Sequence, residues 1–154
     1  MLAANDVDLI LTTELTPDPG AELLCELPLC FYCLAGSEVW KQRPLKVANE
    51  PNCIFRPFVL DSLNRANISW DIPFSGTDWR EFAAFFSAGM AVSAVLEGAH
   101  ERGWEVVPAQ ADLPALPVFG IYLYLNEGGH VKLAAHMAGY IRDAFCRQSA
   151  CAIA

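Results

Sequence analysis

The sequence predicts an α/β fold in which one lobe is inserted into another, and three observations carry that prediction. Strand-like and helix-like segments follow the order β-β-β-α-β-α-β-β-β-α. Two helices each begin directly after a short strand and a polar loop, and two long connectors, residues 23–35 and 108–117, flank a compact middle. The lobes expected from this layout are residues 1–34 with 114–154, and residues 35–113, the connectors serving as hinge strands.

The first segment, residues 6–12, has an acidic start and then Val7, Leu9, Ile10 and Leu11, the pattern of a buried parallel strand ending at the polar pair Thr12 and Thr13. Thr16-Pro17-Asp18-Pro19-Gly20 is turn chemistry. Residues 22–34 form an extended segment, too long for one average strand and interrupted by Pro28, as suits a chain leaving one sheet for another. Ala35-Gly36-Ser37 closes it, and a helical turn over residues 39–43 precedes a short strand over 45–48. Residues 52–57 then lead into a helix over 57–66, with Pro57 at its first position and Val59, Leu60 and Leu63 facing inward.

The central unit is residues 73–96. A strand over 68–74 is closed by Pro73 and Gly76, after which Trp79, Phe82, Ala83 and Phe86 recur at the i, i+3, i+4, i+7 spacing of one helical stripe. Thr77 or Asp78 caps that helix, Glu81 completes a capping box with Asp78, and Gly89 takes the left-handed backbone that ends it. The apolar run 90–96 fits a buried parallel strand covered on both faces, so the polar turn stands at the carboxyl edge of a sheet, where α/β folds bind ligands. A strand over 104–107, a proline-punctuated connector, a strand over 118–125 and a turn at Glu127-Gly128-Gly129 complete the chain up to a helix over 130–146. Its inward stripe is Val131, Ala134, Ala135, Ala138, Ile141 and Phe145, and residues 149–154 fray.

With 154 residues, 54% apolar and 18% charged, the chain buries an extensive core. A net charge of −8 with ten scattered Lys and Arg argues against sequence-independent binding to nucleic acid. No run of 18 apolar residues and no signal-like start is present, so the expected setting is cytoplasmic, with no membrane partner. Six cysteines fit that setting when reduced. Cys25, Cys30 and Cys33 have the spacing of an iron–sulfur loop, but their bulky apolar neighbours oppose convergence of thiolates, and no helix start follows to activate a Cys30/Cys33 pair. His100, His130 and His136 lack the spacing of a local metal pair, and Glu14, Glu22 and Glu26 have no accompanying nucleophile. With no nucleophile elbow, phosphate loop or dinucleotide fingerprint, the expectation is a non-enzymatic chain without a cofactor.

Asp6-Val7-Asp8-Leu9-Ile10-Leu11-Thr12, the crossing segment to Gly36, the loop at residues 53–56 and residues 74–95 with their Ser-Ala-Gly-Met-Ala-Val ending resemble, in order and spacing, the effector-binding domain of LysR-type transcriptional regulators. The likeness covers about residues 5–146. It implies a periplasmic-binding-protein-like two-lobed fold with hinge crossover strands, a small-molecule effector bound between lobes, and a homodimer or higher self-association. Family members begin with a winged helix-turn-helix, a linker helix and the first half of lobe one. This chain enters the pattern in mid-lobe, so the resemblance implies an N-terminally truncated domain whose first lobe is incomplete and has an exposed sheet edge. DNA contact would then run only through a helix-turn-helix absent from this chain.

In the family the effector is held by loop hydroxyls and by amides at helix starts. The matching positions are Thr12 and Thr13 on lobe one, Ile54, Phe55 and Arg56 on lobe two, and Phe74, Ser75, Gly76 and Thr77 in the central turn. Helix N-termini suit an organic acid, and Arg56 adds a bidentate clamp. Some members carry a small hydroxyl residue where Ile54 stands, which makes this wall more apolar. The bland alternatives are that Ser75, Thr77 and Asp78 cap a helix, that Arg56 sits in an ordinary salt bridge, and that the chain is a self-association fragment without a working effector cleft.

Overall fold

Thirteen residues of strand, β2 (Glu22–Leu34), carry the chain from one unit into another. The computed structural model describes residues 7–50, 52–73, 79–126, 128 and 130–151. Around β2 stand β1 (Leu9–Glu14), β3 (Leu45–Lys46), α1 (Arg56–Arg65), β4 (Trp70–Asp71), α2 (Trp79–Ser87), β5 (Ser93–Leu96), β6 (Trp104–Val106), β7 (Val118–Leu125) and α3 (Val131–Cys151). Single turns of 3-10 helix occur at Val39–Lys41 and Ala109–Ala111. Unit 1 comprises Met1–Leu27 with Val118–Ala154, and unit 2 comprises Pro28–Pro117. The expected strand end at Phe74, the turn Ser75-Gly76, the caps Thr77 and Asp78, and Glu127 with Gly129 lie outside the described residues.

In unit 1 the strand order is β1-β7-β2, with β1 antiparallel to β7 from Leu9 opposite Leu125 to Glu14 opposite Gly120. This corrects the expected buried parallel strand over 6–12, because β1 runs antiparallel to β7, ends the strand order among the described residues, and continues through both threonines. A short apolar run reads the same in either setting, and only the partner, β7, decides between them. Tyr124 donates its hydroxyl to the Glu14 carboxylate at 3.1 Å and accepts the Asp18 amide at 3.0 Å, fixing the 15–21 turn to one face of β7. Phe119, Ile121 and Leu123 alternate with it on the other, buried face.

Helix α3 buries Ala134 and Ala138, with Ile141 and Phe145 half-buried behind them. Val131 and Ala135, expected inward, are exposed: the buried line runs 134, 138, 141, 145, and these two fall off its side. The helix also continues to Cys151 rather than fraying at 149. Asp8 accepts the His130 amide at 3.1 Å and so caps α3 from outside its own sequence.

Arg142 donates from Nε and Nη2 to the two oxygens of Glu22, both at 2.6 Å. The guanidinium's hydrogen bonds hold the Glu22 carboxyl below the usual range, against a smaller opposing effect of burial. A lowered folded-state value means the pair stabilises the fold above the unfolded pKa, about 4.3, and loses that contribution as pH falls through the folded value. Denaturant unfolding at pH 7 and at pH 3–4 is therefore expected to show a loss in the native chain that Glu22→Gln partly removes; an unchanged pH dependence in the variant would count against the clamp.

Unit 2 is arranged around residues 45–48. Leu45 and Val47 donate to the carbonyls of Ser69 and Asp71 at 2.8 and 2.9 Å, while Ala48 donates to Val92 and Val92 to Lys46, both at 2.8 Å. β3 is thus parallel to β4 on one side and bridges Val92 in parallel on the other. Beyond Val92 the chain enters β5, which runs antiparallel to β2 from Ser93 opposite Tyr32 to Leu96 opposite Leu29; this corrects the expected parallel strand over 90–96, of which only Val92 bridges in parallel, since an apolar run does not show which way its partner runs. Phe82 and Phe86 of α2 pack with Tyr32, Ala48 and Ala91, and the Trp104 ring lies 4.0 Å from that of Phe86. Gly89, at φ 65°, ends α2 as predicted: its amide bonds the Phe86 carbonyl at 2.8 Å and that of Met90 bonds Phe85 at 3.4 Å, a Schellman arrangement.

The cysteines of β2 follow strand geometry. Cys30 and Cys33 lie three residues apart and so point to opposite faces, as do Cys25 and Cys30, so the strand cannot gather them around a cluster or into a disulfide. Burial pushes the thiols of Cys25, Cys30 and Cys33 up, keeping them protonated near neutral pH.

Candidate functional site

The loops after β3 and β4 leave the same end of a parallel strand pair and lead to the starts of α1 and α2. That carboxyl end is where open α/β sheets bind ligands, because successive loops and helix starts converge there. The second of these loops contains Phe74, Ser75, Gly76 and Thr77, all outside the described residues. The first, from Asn49 to Arg56, is described apart from residue 51.

This first loop is a chain of tight turns: Glu50 accepts the Cys53 amide and Cys53 accepts the Arg56 amide, both at 3.1 Å. Phe55 is the N-cap residue, in αR geometry and without a side-chain cap, and Pro57 sits in the first turn of α1. The start of α1 therefore offers fewer open donors than an ordinary helix N-terminus, since Pro57 has no N–H and the Arg56 amide is already taken. Positive charge at this place has to come from the Arg56 side chain. Arg56 is half-buried, and among the described residues no carboxylate forms an ion pair with it. Phe55 is half-buried beside it, and Ile54 points largely into solvent.

Sequence reasoning missed Asn49. It follows the apolar pair Val47-Ala48 at the carboxyl end of β3, is only 3% exposed, and its buried Oδ1 has no hydrogen-bond donor among the described residues. Its Nδ2 donates to the sulfur of Cys53, at 3.8 Å. A buried amide oxygen without a donor costs about 1–3 kcal/mol. The available signal was its position: an Asn that directly ends a buried apolar strand and starts a helix-bound loop.

Thr12 and Thr13 lie within β1, opposite Tyr122 and Ile121, rather than in a loop beyond the strand. Consecutive strand residues face opposite sides, so one ligand meets the hydroxyl of one of them. Thr12 has the chemically open group: its Oγ1 is buried and has no partner among the described residues. Elsewhere in unit 2 a cavity of about 300 Å³, lined by Pro28, Phe31, Val107, Pro114 and Leu116 among others, includes none of the predicted site residues. Among the described residues no group of three His, Cys, Asp or Glu is placed to hold a metal ion, and no helix is long and apolar enough to cross a membrane.

Residues 1–146 match the LysR substrate binding domain family. The chain belongs to that family. LysR substrate-binding domains are the effector-sensing regulatory domains of transcription regulators, which act as oligomers and bind DNA through an N-terminal domain. The fold is that of LysR regulatory domains, α/β and periplasmic-binding-protein-like. The chain is similar to the bromide-bound regulatory domain of HypT from Salmonella typhimurium, with 18% identity and a TM-score of 0.72, covering 96% of this chain and 76% of that one. It is similar to full-length HypT, a hypochlorite-specific LysR-type transcriptional regulator, at 18% identity and a TM-score of 0.70, covering 95% of this chain and 55% of that one. The regulatory domain of Synechocystis PCC6803 CcmR in complex with 2-PG is a third similar structure, at 13% identity and a TM-score of 0.63, with 94% and 76% covered.

Proposed function

We propose that this LysR-family chain senses a small organic effector that carries an anionic group and a hydrogen-bond donor, such as a hydroxy- or amino-carboxylate. One observation carries the reading: among the described residues the half-buried Arg56 has no carboxylate partner, and it shares the loop after β3 with Asn49, whose buried Oδ1 has no donor there. A carboxylate would pair with the guanidinium in a bidentate fork, and a ligand hydroxyl or ammonium would satisfy the Asn49 oxygen. Ile54 and Phe55 would supply an apolar rim. In this reading Phe74, Ser75, Gly76 and Thr77 would contribute from the neighbouring loop. The bromide ion bound by the HypT domain supports an anion in a relative. DNA binding would belong to a helix-turn-helix outside this chain, consistent with its net charge of −8.

Thermal unfolding in the presence of hydroxy- and amino-carboxylates, each compared with its neutral amide at constant ionic strength, tests the reading. A saturable rise is expected from at least one acid and not from its amide, since a ligand at about 100 times its Kd stabilises by about 2.7 kcal/mol. A folded protein that no member of the series stabilises would overturn it.

A further inference from the structure

We propose that unit 2 holds a second ligand site, independent of the Arg56 loop, in the cavity between β2 and the 108–117 connector, and that its ligand is a neutral N-acylated amino-acid amide with an apolar side chain. The cavity is about 300 Å³, at the small end of ligand pockets, and is lined by residues 28–31 of β2 together with both ends of the connector. All of these belong to the uninterrupted stretch Pro28–Pro117.

The chemistry follows from an interruption in the strand ladder. Residues of a strand turn their amide and carbonyl to alternate sides. Leu29 and Phe31 turn theirs to the connector, where the Leu29 amide donates to the Pro117 carbonyl at 3.0 Å and the Phe31 carbonyl accepts the Val107 amide at 2.9 Å. An antiparallel pair of this kind normally exchanges two bonds, and here each pair exchanges one. Pro117 has no N–H to return to the Leu29 carbonyl. Val107 is followed by Pro108, where the chain leaves the ladder for the 3-10 turn at Ala109–Ala111, and among the described residues the Phe31 amide has no acceptor. Leu29, Phe31 and Val107 are all buried, and buried backbone groups are almost always paired, so one acceptor and one donor stand open to a ligand. Prolines inside the chain leave them open, not a missing strand.

A carbonyl and the amide two residues on, at one strand edge, are the two groups that a facing antiparallel strand engages with the peptide groups on either side of a single residue. In the cavity that residue stands opposite Cys30. Its acyl carbonyl accepts the Phe31 amide, and its C-terminal amide donates to the Leu29 carbonyl. A free carboxylate would bring no proton to the Leu29 carbonyl, and a free ammonium would bring a second donor to the Phe31 amide, so both ends have to be capped. None of the lining residues carries a charge that could pair with an ionised end, and Pro28, Phe31, Pro114 and Leu116 give the side chain apolar walls. The size suits one capped residue, so the ligand is a free small molecule rather than a stretch of polypeptide.

Amide NMR and hydrogen exchange on the full chain, titrated with N-acetyl-leucine N-methylamide, test the proposal. The expected result is a saturable shift and at least tenfold slower exchange of the Phe31 amide, with a dissociation constant on the order of 1 mM. The N,N-dimethylamide and free N-acetyl-leucine, both without a donor for the Leu29 carbonyl, should bind at least tenfold more weakly. Pro117→Ala places an N–H opposite that carbonyl, and the folded variant should lose at least tenfold in affinity; the ligand series on the unmutated chain is an arm independent of its folding. An unresponsive Phe31 amide, equal binding of the dimethylamide, shifts confined to the 49–56 loop, or undiminished binding by the folded variant would each overturn the proposal. A pentapeptide with leucine at its centre that binds more tightly than the capped residue overturns the choice of a free small molecule.

Discussion

Phe86→Ala is expected to lower the free energy of unfolding by about 3–5 kcal/mol, a large share of the 5–15 kcal/mol typical of a domain. Phe86 is 0% exposed, and its ring is enclosed by Tyr32, Ala48, Phe82 and Ala91 with Trp104 across it. The walls cannot collapse into the space. Tyr32 is held in β2 by pairing to Ser93 and Val106, and Ala48 by its bond to Val92, so most of the ring's volume would remain as cavity. Phe85, which packs on the same cluster from a half-buried position, should cost distinctly less on truncation. Urea unfolding followed by tryptophan fluorescence measures both. A loss below about 1 kcal/mol for Phe86→Ala would mean that this cluster does not anchor α2. Ala48 immediately precedes Asn49, so the same cavity should also weaken any ligand-induced rise in thermal stability.

Asn49→Leu is expected to separate stability from binding. Leucine keeps asparagine's branched four-atom side chain, with bulkier methyls, and removes an oxygen that is buried without a donor among the described residues; the relief of the one offsets the crowding of the other, so the variant should be within about 1 kcal/mol of the native chain. Its ligand response should fall, because the group that would accept the effector's donor is gone. Arg56→Ala should fall further, by about 10–100-fold in affinity for a carboxylate, since a charge-assisted hydrogen bond contributes about 1.5–3 kcal/mol. Its stability should change little, as Arg56 forms no ion pair among the described residues. Isothermal titration and urea unfolding on the two variants supply both readouts. An Asn49→Leu chain that is less stable yet binds normally would make Asn49 a structural residue.

Where local chemistry alone dictates structure, the sequence was readable. The strand over 118–125 matches β7 at both ends, the helix at Pro57 begins one residue early, and Gly89 closes α2 with the backbone that glycine was expected to supply. Partner-dependent features were not readable. Leu9-Ile10-Leu11 carries no mark of whether its neighbour runs parallel or antiparallel, and alanine-rich α3 has too little contrast between faces to place Val131 and Ala135. Within the candidate site, Arg56 and its rim were visible as a loop-to-helix start. Asn49 was not, because its significance lies in burial without a donor, which depends on the packing of β3 against β4 and Val92.

The way β2 divides the chain also dictates an order of events during synthesis. Unit 2 is one uninterrupted stretch, Pro28–Pro117, and every strand pair within it closes over fewer than its own ninety residues. Unit 1 needs Leu9 to meet Leu125 and Glu22 to meet Arg142, partners that leave the ribosome about 6–24 seconds later at ordinary elongation rates. Closing so long a loop from an unfolded chain costs about 4 kcal/mol in entropy, and a folded unit 2 shortens it before β7 arrives. Until then, β1 waits as an unpaired apolar segment on a growing chain, and the stability of unit 2 sets how efficiently it finds β7.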